Sequence, residues 1–333
     1  MAKKWPGREM TANNDSMETS EKKLFAPFVE FQGLAILDGG LATALEDAGQ
    51  DLNNPLWSAQ VLVNDPQAIK AVHSAYLMAG ADCITTSTYQ ASLPGFTGRG
   101  LSEPMAKELM RQAVVLATEA REEFWNDPDN RQNRLRPLVA ASIGPYGAFL
   151  ADGSEYTGRY SIADTEIYDF HKKRWQILLA SSADLMACET LPSGREALVL
   201  LQLISESPQC RAWFSFSCRD GAHLWDGTPV REIAQACETA DQVEALGINC
   251  TAPEHVAALI SEIRRASAKP IIVYPNLGEK YDAKTKTWGA GPSADAWLEL
   301  ACQWAEMGVA AIGGCCRVGP QMISRLRGEV LKK

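Results

Sequence analysis

Three cysteines occupy positions where chemistry could be done. Cys250 closes an apolar run in Gly247-Ile248-Asn249-Cys250, and Cys315 and Cys316 close another in Gly313-Gly314-Cys315-Cys316. Three thiolates suit Zn2+, with Zn–S near ~2.3 Å and tetrahedral preference. A fourth corner left open is the mark of a catalytic rather than a structural ion. Adjacent cysteines on a regular strand point to opposite faces. At a strand end, Gly313 and Gly314 would permit the backbone angles that turn both toward one ion. Core packing and a vicinal redox pair are the competing readings of a Cys-Cys dipeptide.

Two carboxylates end apolar runs in the same way, Asp38 after 34–37 and Glu189 after 184–188. An unpaired carboxylate is costly to bury. A structural salt bridge is one answer; gripping a substrate ammonium is the reading preferred here. Gly39 and Gly40 would offer backbone N–H groups to a substrate carboxylate. The set therefore suits a zwitterionic amino acid. Thr88, Gln90 and Asn249, polar residues at further strand ends, are expected to touch it too. His73, His171 and His255 fall on helices away from these ends and read as packing or surface residues, and His223 as a solvated loop residue. Cys188 alternates with Glu189 and should face the core. Cys218 could line the site, while Cys83, Cys210, Cys237 and Cys302 read as packing.

The elements that must position these groups repeat one pattern: a short apolar run, a loop, then a helical stretch. The runs cover 34–40, 82–90, 137–144, 184–190, 211–218, 243–250, 270–276 and 310–315. The helices following them cover 66–79, 105–125, 164–182, 193–206, 229–239, 253–266, 293–307 and 319 onward. Ser193, Thr228, Thr251 and Asp164 read as helix caps, and Gly80 and Gly308 as stops. Eight strand–helix units predict a single-domain α/β (β/α)8 barrel over 29–333. A doubly wound sheet uses the same alternation, but Asp38-Gly39-Gly40-Leu41-Ala42-Thr43 lacks its G-x-G-x-x-G spacing. Residues 1–28 lack periodicity and read as a mobile tail.

Composition narrows the class. Of 333 residues, 32 are Lys or Arg and 41 are Asp or Glu, a net charge of -9 that argues against nucleic-acid binding. The start lacks the apolar segment of a secretory signal, and no uncharged stretch is apolar enough for a membrane helix. Nine cysteines, several inside apolar runs, read as reduced thiols. A cytoplasmic protein with small-molecule substrates, monomeric or a small homo-oligomer, is expected.

Six segments at the strand ends together resemble the zinc-dependent homocysteine S-methyltransferases. They are Leu37-Asp38-Gly39-Gly40, Thr85-Thr86-Ser87-Thr88-Tyr89-Gln90, Cys188-Glu189-Thr190, Gly247-Ile248-Asn249-Cys250, Tyr274-Pro275-Asn276 and Gly313-Gly314-Cys315-Cys316. The resemblance implies a (β/α)8 barrel with Cys250, Cys315 and Cys316 as zinc ligands. It implies that Asp38 and Glu189 bind homocysteine and that Asn249 is a site residue. Leu277 departs from the small residue many relatives carry, which would narrow the pocket. The chain is shorter than the betaine-using and cobalamin-dependent branches. It looks like the small branch that uses sulfonium donors, S-methylmethionine first and S-adenosylmethionine second. Selenocysteine or another thiol as acceptor, and a non-catalytic structural-zinc or redox barrel, are the alternatives.

The implied chemistry is consistent. A free thiol with pKa ~8.5 is mostly protonated at neutral pH, and thiolate is the nucleophile. Zinc removes the thiol proton. A sulfonium needs no general acid, because it leaves as a neutral thioether. The protein's main task is alignment, and Tyr89 or Trp57 could steady the cation through a ring face.

Overall fold

The computed structural model describes residues 23–52, 58–278, 281–282, 287–288 and 291–331. Eight short strands form one parallel sheet: β1 (Ala35–Ile36), β2 (Cys83–Thr85), β3 (Leu138–Ile143), β4 (Leu185–Leu191), β5 (Ala212–Phe216), β6 (Val243–Asn249), β7 (Ile271–Tyr274) and β8 (Ala311–Ile312). Each pairs with its sequence neighbour, and β8 pairs with β1. A parallel bridge between Leu37 and Cys83 joins β1 to β2 and closes the ring. The predicted (β/α)8 barrel is therefore the fold. Among the described residues, no helix is long and apolar enough to cross a membrane. Trp57 lies outside the described residues.

The outer helices follow the predicted order: α4 (Pro66–Ala79), α6 (Glu103–Asn126), α8 (Asp164–Leu179), α9 (Gly194–Ser205), α10 (Val230–Glu238), α11 (Pro253–Arg264), α12 (Ala294–Glu306) and α13 (Pro320–Val330). Shorter helices that the sequence pattern missed stand at the ring's ends: α1 (Ala26–Gln32), α2 (Leu41–Asp47), α3 (Ser58–Asn64), α5 (Leu93–Thr97) and α7 (Tyr146–Leu150). Ser193 caps α9 as expected, and Gly80 ends α4 at φ 109°. Thr228, Thr251 and Asp164 are not caps. The Thr251 hydroxyl instead donates to Asn249 O and accepts from Cys218 N, tying two strand ends together.

The apolar residues form two layers. The larger lies between sheet and helices and contains Cys188 and Cys218. The smaller fills the ring, where Ala35, Ala140, Ala187, Ala245 and Ala311 leave room for Trp213 and Tyr274. Phe25 and Phe28 enter this inner layer and are almost fully buried. Phe25 meets Trp213 at 6.0 Å between ring centroids. The expected mobile tail over 1–28 is thus corrected for its last residues, 25–28. Residues 1–22 are outside the described set, but Phe25 and α1 plug the amino-terminal mouth of the barrel. Leu24 N donates to Glu244, and Gln32 Nε2 donates to Asp82 at 2.6 Å. Arg134 and Arg327 pair with the same aspartate, which also accepts from Ile36 N. Local periodicity cannot reveal such a plug, because the plug's partners come from strands across the whole chain.

Phe25→Ala empties part of the ring and should cost about 3 kcal/mol or more. Urea unfolding should register this as a lower midpoint, whereas a midpoint equal to wild type would make α1 dispensable.

Candidate metal and substrate site

The site stands at the carboxyl ends of the strands. Cys250 follows β6 and takes a left-handed conformation, φ 47°. Cys315 and Cys316 lie in the loop between β8 and α13. Cys250 Sγ is 3.9 Å from Cys316 Sγ, and Cys315 Sγ is 4.0 Å from it. All three sulfurs lie within 4.8 Å of one another. Around a tetrahedral zinc with Zn–S ~2.3 Å, sulfurs sit about 3.8 Å apart. The three thiols therefore fit one soft, tetrahedral cation. Their mutual effects point the same way. Hydrogen bonds from Cys250 and Cys315 pull the Cys316 thiol down, while hydrogen bonding to its two neighbours, and then burial, push Cys250 up.

The loop converges for a reason other than the one expected. Neither Gly313 nor Gly314 takes a positive φ; Cys250 and Arg317 do. The glycines are needed for close approach. A Cβ on Gly313 would come 2.7 Å from Asp38 O, and one on Gly314 2.2 Å from the Val318 side chain. Backbone bonds then fix the loop from both sides: Gly314 N to Asp38 O at 3.0 Å, Cys315 N to Pro275 O at 2.9 Å, and Leu277 N to Cys316 O at 3.1 Å. Arg317 N donates to Thr43 Oγ1.

Gly39 and Gly40 belong to the same packing, and the Gly40 N–H expected to face a substrate carboxylate is taken within it. Gly40 N already donates to Val318 O at 3.0 Å, so it is not available to a ligand. A Cβ on Gly39 would lie 2.1 Å from Val318 O, and one on Gly40 2.7 Å from Cys315 O. These two residues let the end of β1 lie against the thiol loop. Leu277 packs against the outer apolar layer.

Asp38 and Glu189 are both buried. Asp38 accepts from Thr85 N at 2.7 Å and from the Thr85 hydroxyl at 3.0 Å. Burial raises its carboxyl to about 8, against the pull of the Thr85 bonds and with help from Glu189. Glu189 accepts from the Ser142 hydroxyl and from Tyr274 OH at 3.1 Å. Burial lifts it to about 7, with Ser142 opposing and Cys315 adding. No basic side chain pairs with either among the described residues, so the salt-bridge alternative has no partner there. Trp213 Nε1 donates to Tyr274 OH at 2.9 Å, so a chain of hydrogen bonds runs from the filled ring to Glu189.

Of the three further expected substrate contacts, Asn249 and Thr88 have partners within the protein, and Gln90 keeps one polar atom without any. Asn249 is fully buried and committed. Its Oδ1 accepts from Thr190 N at 2.8 Å and Ser215 Oγ at 2.7 Å, and its Nδ2 donates to Thr190 Oγ1 at 2.7 Å. Thr190 has φ 59° at an irregularity in β4. Asn249 thus clamps the bulge beside Glu189 and immediately precedes Cys250. Thr88 is buried, and its hydroxyl is used by Thr86 and by Ser142 O at 2.7 Å. Gln90 donates to Ala148 O at 3.0 Å and keeps a buried Oε1 without a partner. Asn276 Oδ1 is likewise unpartnered. His171 and His73 are fully buried, and burial lowers both to about 4, keeping them neutral. Sequence reasoning gave no positioning role to Thr85, Ser142 and Tyr274, whose hydroxyls hold the two acids. It also missed Glu155, which lies beyond β3 in a loop with no strand-end signal.

A thiol trio that could hold one metal ion and two buried acids, at the carboxyl face of a (β/α)8 barrel, define a barrel enzyme with small-molecule substrates. The homocysteine S-methyltransferase family matches residues 35–330, and the chain belongs to it. It is 48% identical over 293 residues to the homocysteine S-methyltransferase YbgG of Bacillus subtilis (strain 168), covering 88% of this chain and 93% of that one. It is 41% identical over 336 residues to a selenocysteine Se-methyltransferase of Brassica oleracea var. italica, covering 97% and 96%. The metallated homocysteine methyltransferase MmuM of Escherichia coli superposes with a TM-score of 0.80 at 42% identity, covering 91% of this chain and 99% of that one.

Asn249→Ala strips partners from Thr190 N and the Ser215 hydroxyl. Metal affinity should fall roughly tenfold to a hundredfold, as for other residues that orient ligands. Competition with a chromogenic chelator measures it, and unchanged affinity would deny Asn249 its clamping role.

Proposed function

We propose that the chain transfers a methyl group from a sulfonium donor, S-methylmethionine before S-adenosylmethionine, to the sulfur of homocysteine, with zinc held by Cys250, Cys315 and Cys316. The observation that carries this reading is the three-sulfur cluster set at one mouth with two buried carboxylates that have no basic partner among the described residues. Zinc at the cluster would supply the charge that strips the proton from the substrate thiol and keeps its sulfur nucleophilic.

Asp38 and Glu189 would take the homocysteine ammonium. Thr85, Ser142 and Tyr274 hold their oxygens in place, so little ordering remains to be done when substrate arrives. Gln90 Oε1 is a candidate acceptor for a further substrate N–H. The reaction balances without an acid or an oxidant. A bond forms between the acceptor sulfur and the methyl carbon, and the sulfonium S–C bond breaks. Its electron pair stays on the donor sulfur, which becomes a neutral thioether. The chain's own residues need only align three atoms and exclude water. The likeness to a selenocysteine enzyme supports a second acceptor, since a selenol presents the same nucleophile at the same position.

Zinc-loaded protein should form methionine from homocysteine and S-methylmethionine. Chelation, or Cys316→Ser, should abolish turnover. No methionine from either sulfonium donor ends this reading, and full activity in a metal-free preparation ends the metal's part in it.

The acids give the pH dependence. Glu189 is neutral below about 7 and Asp38 below about 8, so neither attracts an ammonium until pH rises through those values. Homocysteine KM should therefore fall as pH rises across neutrality. In Glu189→Gln the fall near pH 7 should vanish, leaving only the later one. An identical KM profile in the two proteins would remove Glu189 from ammonium binding.

A further inference from the structure

Glu155 is the acid at this mouth that the preceding reading leaves unused. Beyond β3 the chain passes through Gly144, Pro145 and α7 into a single 3-10 turn, Ser154–Tyr156. The Tyr89 hydroxyl donates to Glu155 Oε2 at 3.4 Å. Tyr156 follows Glu155 directly in the same turn. Two tyrosines thus stand beside one acid, and Glu155 and Tyr156 are only half-buried.

The arrangement is firmly built. A Cβ on Gly147 would lie 2.5 Å from Glu155 N, so the turn rests directly on α7. A Cβ on Gly144 would lie 2.6 Å from the Tyr89 ring. Buried Arg174 donates to Gly144 O and to Tyr89 O, and His171 and Glu196 hold the arginine's end of that network. Glu196 also accepts from Tyr146 N, which starts α7.

Its electrical surroundings are one-sided. No lysine or arginine pairs with Glu155 among the described residues. Burial raises its carboxyl, Tyr89 and Tyr156 oppose this, and Cys315 and Asp152 add to it. The turn follows β3 at the carboxyl ends of the strands, the mouth that also holds the thiol cluster. An acid without a basic partner among the described residues, beside two tyrosines at the mouth that holds the sulfurs, calls for a bound cation.

The cation's chemistry follows from the groups available. An ammonium needs several directed acceptors, which Asp38 and Glu189 supply. A sulfonium has no N–H to direct and is held by charge and by π faces. We propose that Glu155, with the Tyr89 and Tyr156 rings, is the subsite for the positive sulfur of the methyl donor, separate from the Asp38–Glu189 pair. This rests on the reading of the chain as a sulfonium-using methyltransferase. Once the methyl group has moved, the donor sulfur is neutral. The subsite then loses its hold, and the thioether product is free to leave.

The test uses zinc-loaded, full-length protein and trimethylsulfonium, a probe with no ammonium and no carboxylate. Trimethylsulfonium should inhibit turnover competitively against the donor. In Glu155→Gln its inhibition constant and the donor KM should both rise, roughly tenfold. Homocysteine KM and zinc content should hold steady. Tyr156→Leu should raise donor KM more than Tyr156→Phe, which keeps the ring. A donor KM unchanged in Glu155→Gln, or an equal loss toward both substrates, overturns the subsite. Failure of the wild type to turn over any sulfonium overturns the underlying reading instead. Calorimetric binding of trimethylsulfonium then decides the subsite by itself: weaker binding in Glu155→Gln supports it, and equal or absent binding overturns it.

Discussion

Three sulfur atoms 3.9 to 4.0 Å apart along the Cys250–Cys316–Cys315 path cannot all ionise unaided, because like charges at that spacing oppose one another. The trio is at ease only with a cation among it. The backbone accepts unfavourable geometry to keep the trio together: Cys250 and Arg317 sit at positive φ, where residues with a Cβ are strained. Gly39, Gly40, Gly313 and Gly314 give up side chains so that the end of β1 and the thiol loop can touch. Such strain persists when the surroundings over-determine it. Here they do, through hydrogen bonds to Asp38 O, Pro275 O and Thr43.

The remainder of the barrel serves two acids. Glu189 is aimed by an irregularity in β4, the irregularity is held by Asn249, and Asn249 is held by Ser215. From inside the ring, Trp213 orients Tyr274, and Tyr274 donates to Glu189. Trp213 in turn packs on Phe25 from the amino-terminal plug. A contiguous set of contacts therefore runs from one mouth of the barrel to the other. It fixes a carboxylate that would otherwise be costly to leave buried.

Much of this was legible in the sequence, and the reasons are local. Apolar runs ending in Asp38, Glu189, Cys250 or Cys315 mark the carboxyl ends of strands, where a barrel keeps its working groups. The count of eight followed from alternation alone. The strands are shorter than those runs because their last residues leave the ladder to build the site: β1 stops at Ile36, well before Gly40. Asn249 and Thr88 are polar at strand ends, but a residue's type does not say whether its hydrogen bonds are already filled. The α1 plug, the Tyr274 donor and the Glu155 turn depend on contacts between distant segments. Tyr274 and Glu189 are 85 residues apart, and Leu24 and Glu244 are 220 apart. No local period carries that information.

The site's polarity bears on the kind of donor that fits it. Asp38, Glu189, Glu155 and three thiols share one mouth, and no lysine or arginine pairs with any of these carboxylates among the described residues. An anionic methyl donor would meet repulsion at each of them that ionises and, at those still protonated, would find no charge to hold it. A cationic donor brings the missing charge, and the proposed reaction then removes it: a thiolate and a sulfonium become two neutral thioethers. Reactions that annihilate charge are favoured when water is excluded and the local dielectric is low, because attraction between the reactants is screened less. Burial raises the protonation of the same acids, so the mouth can rest nearly neutral until a cation arrives. Burial and unpaired acids, unfavourable taken singly, thus become compatible with stability and selective for positive charge.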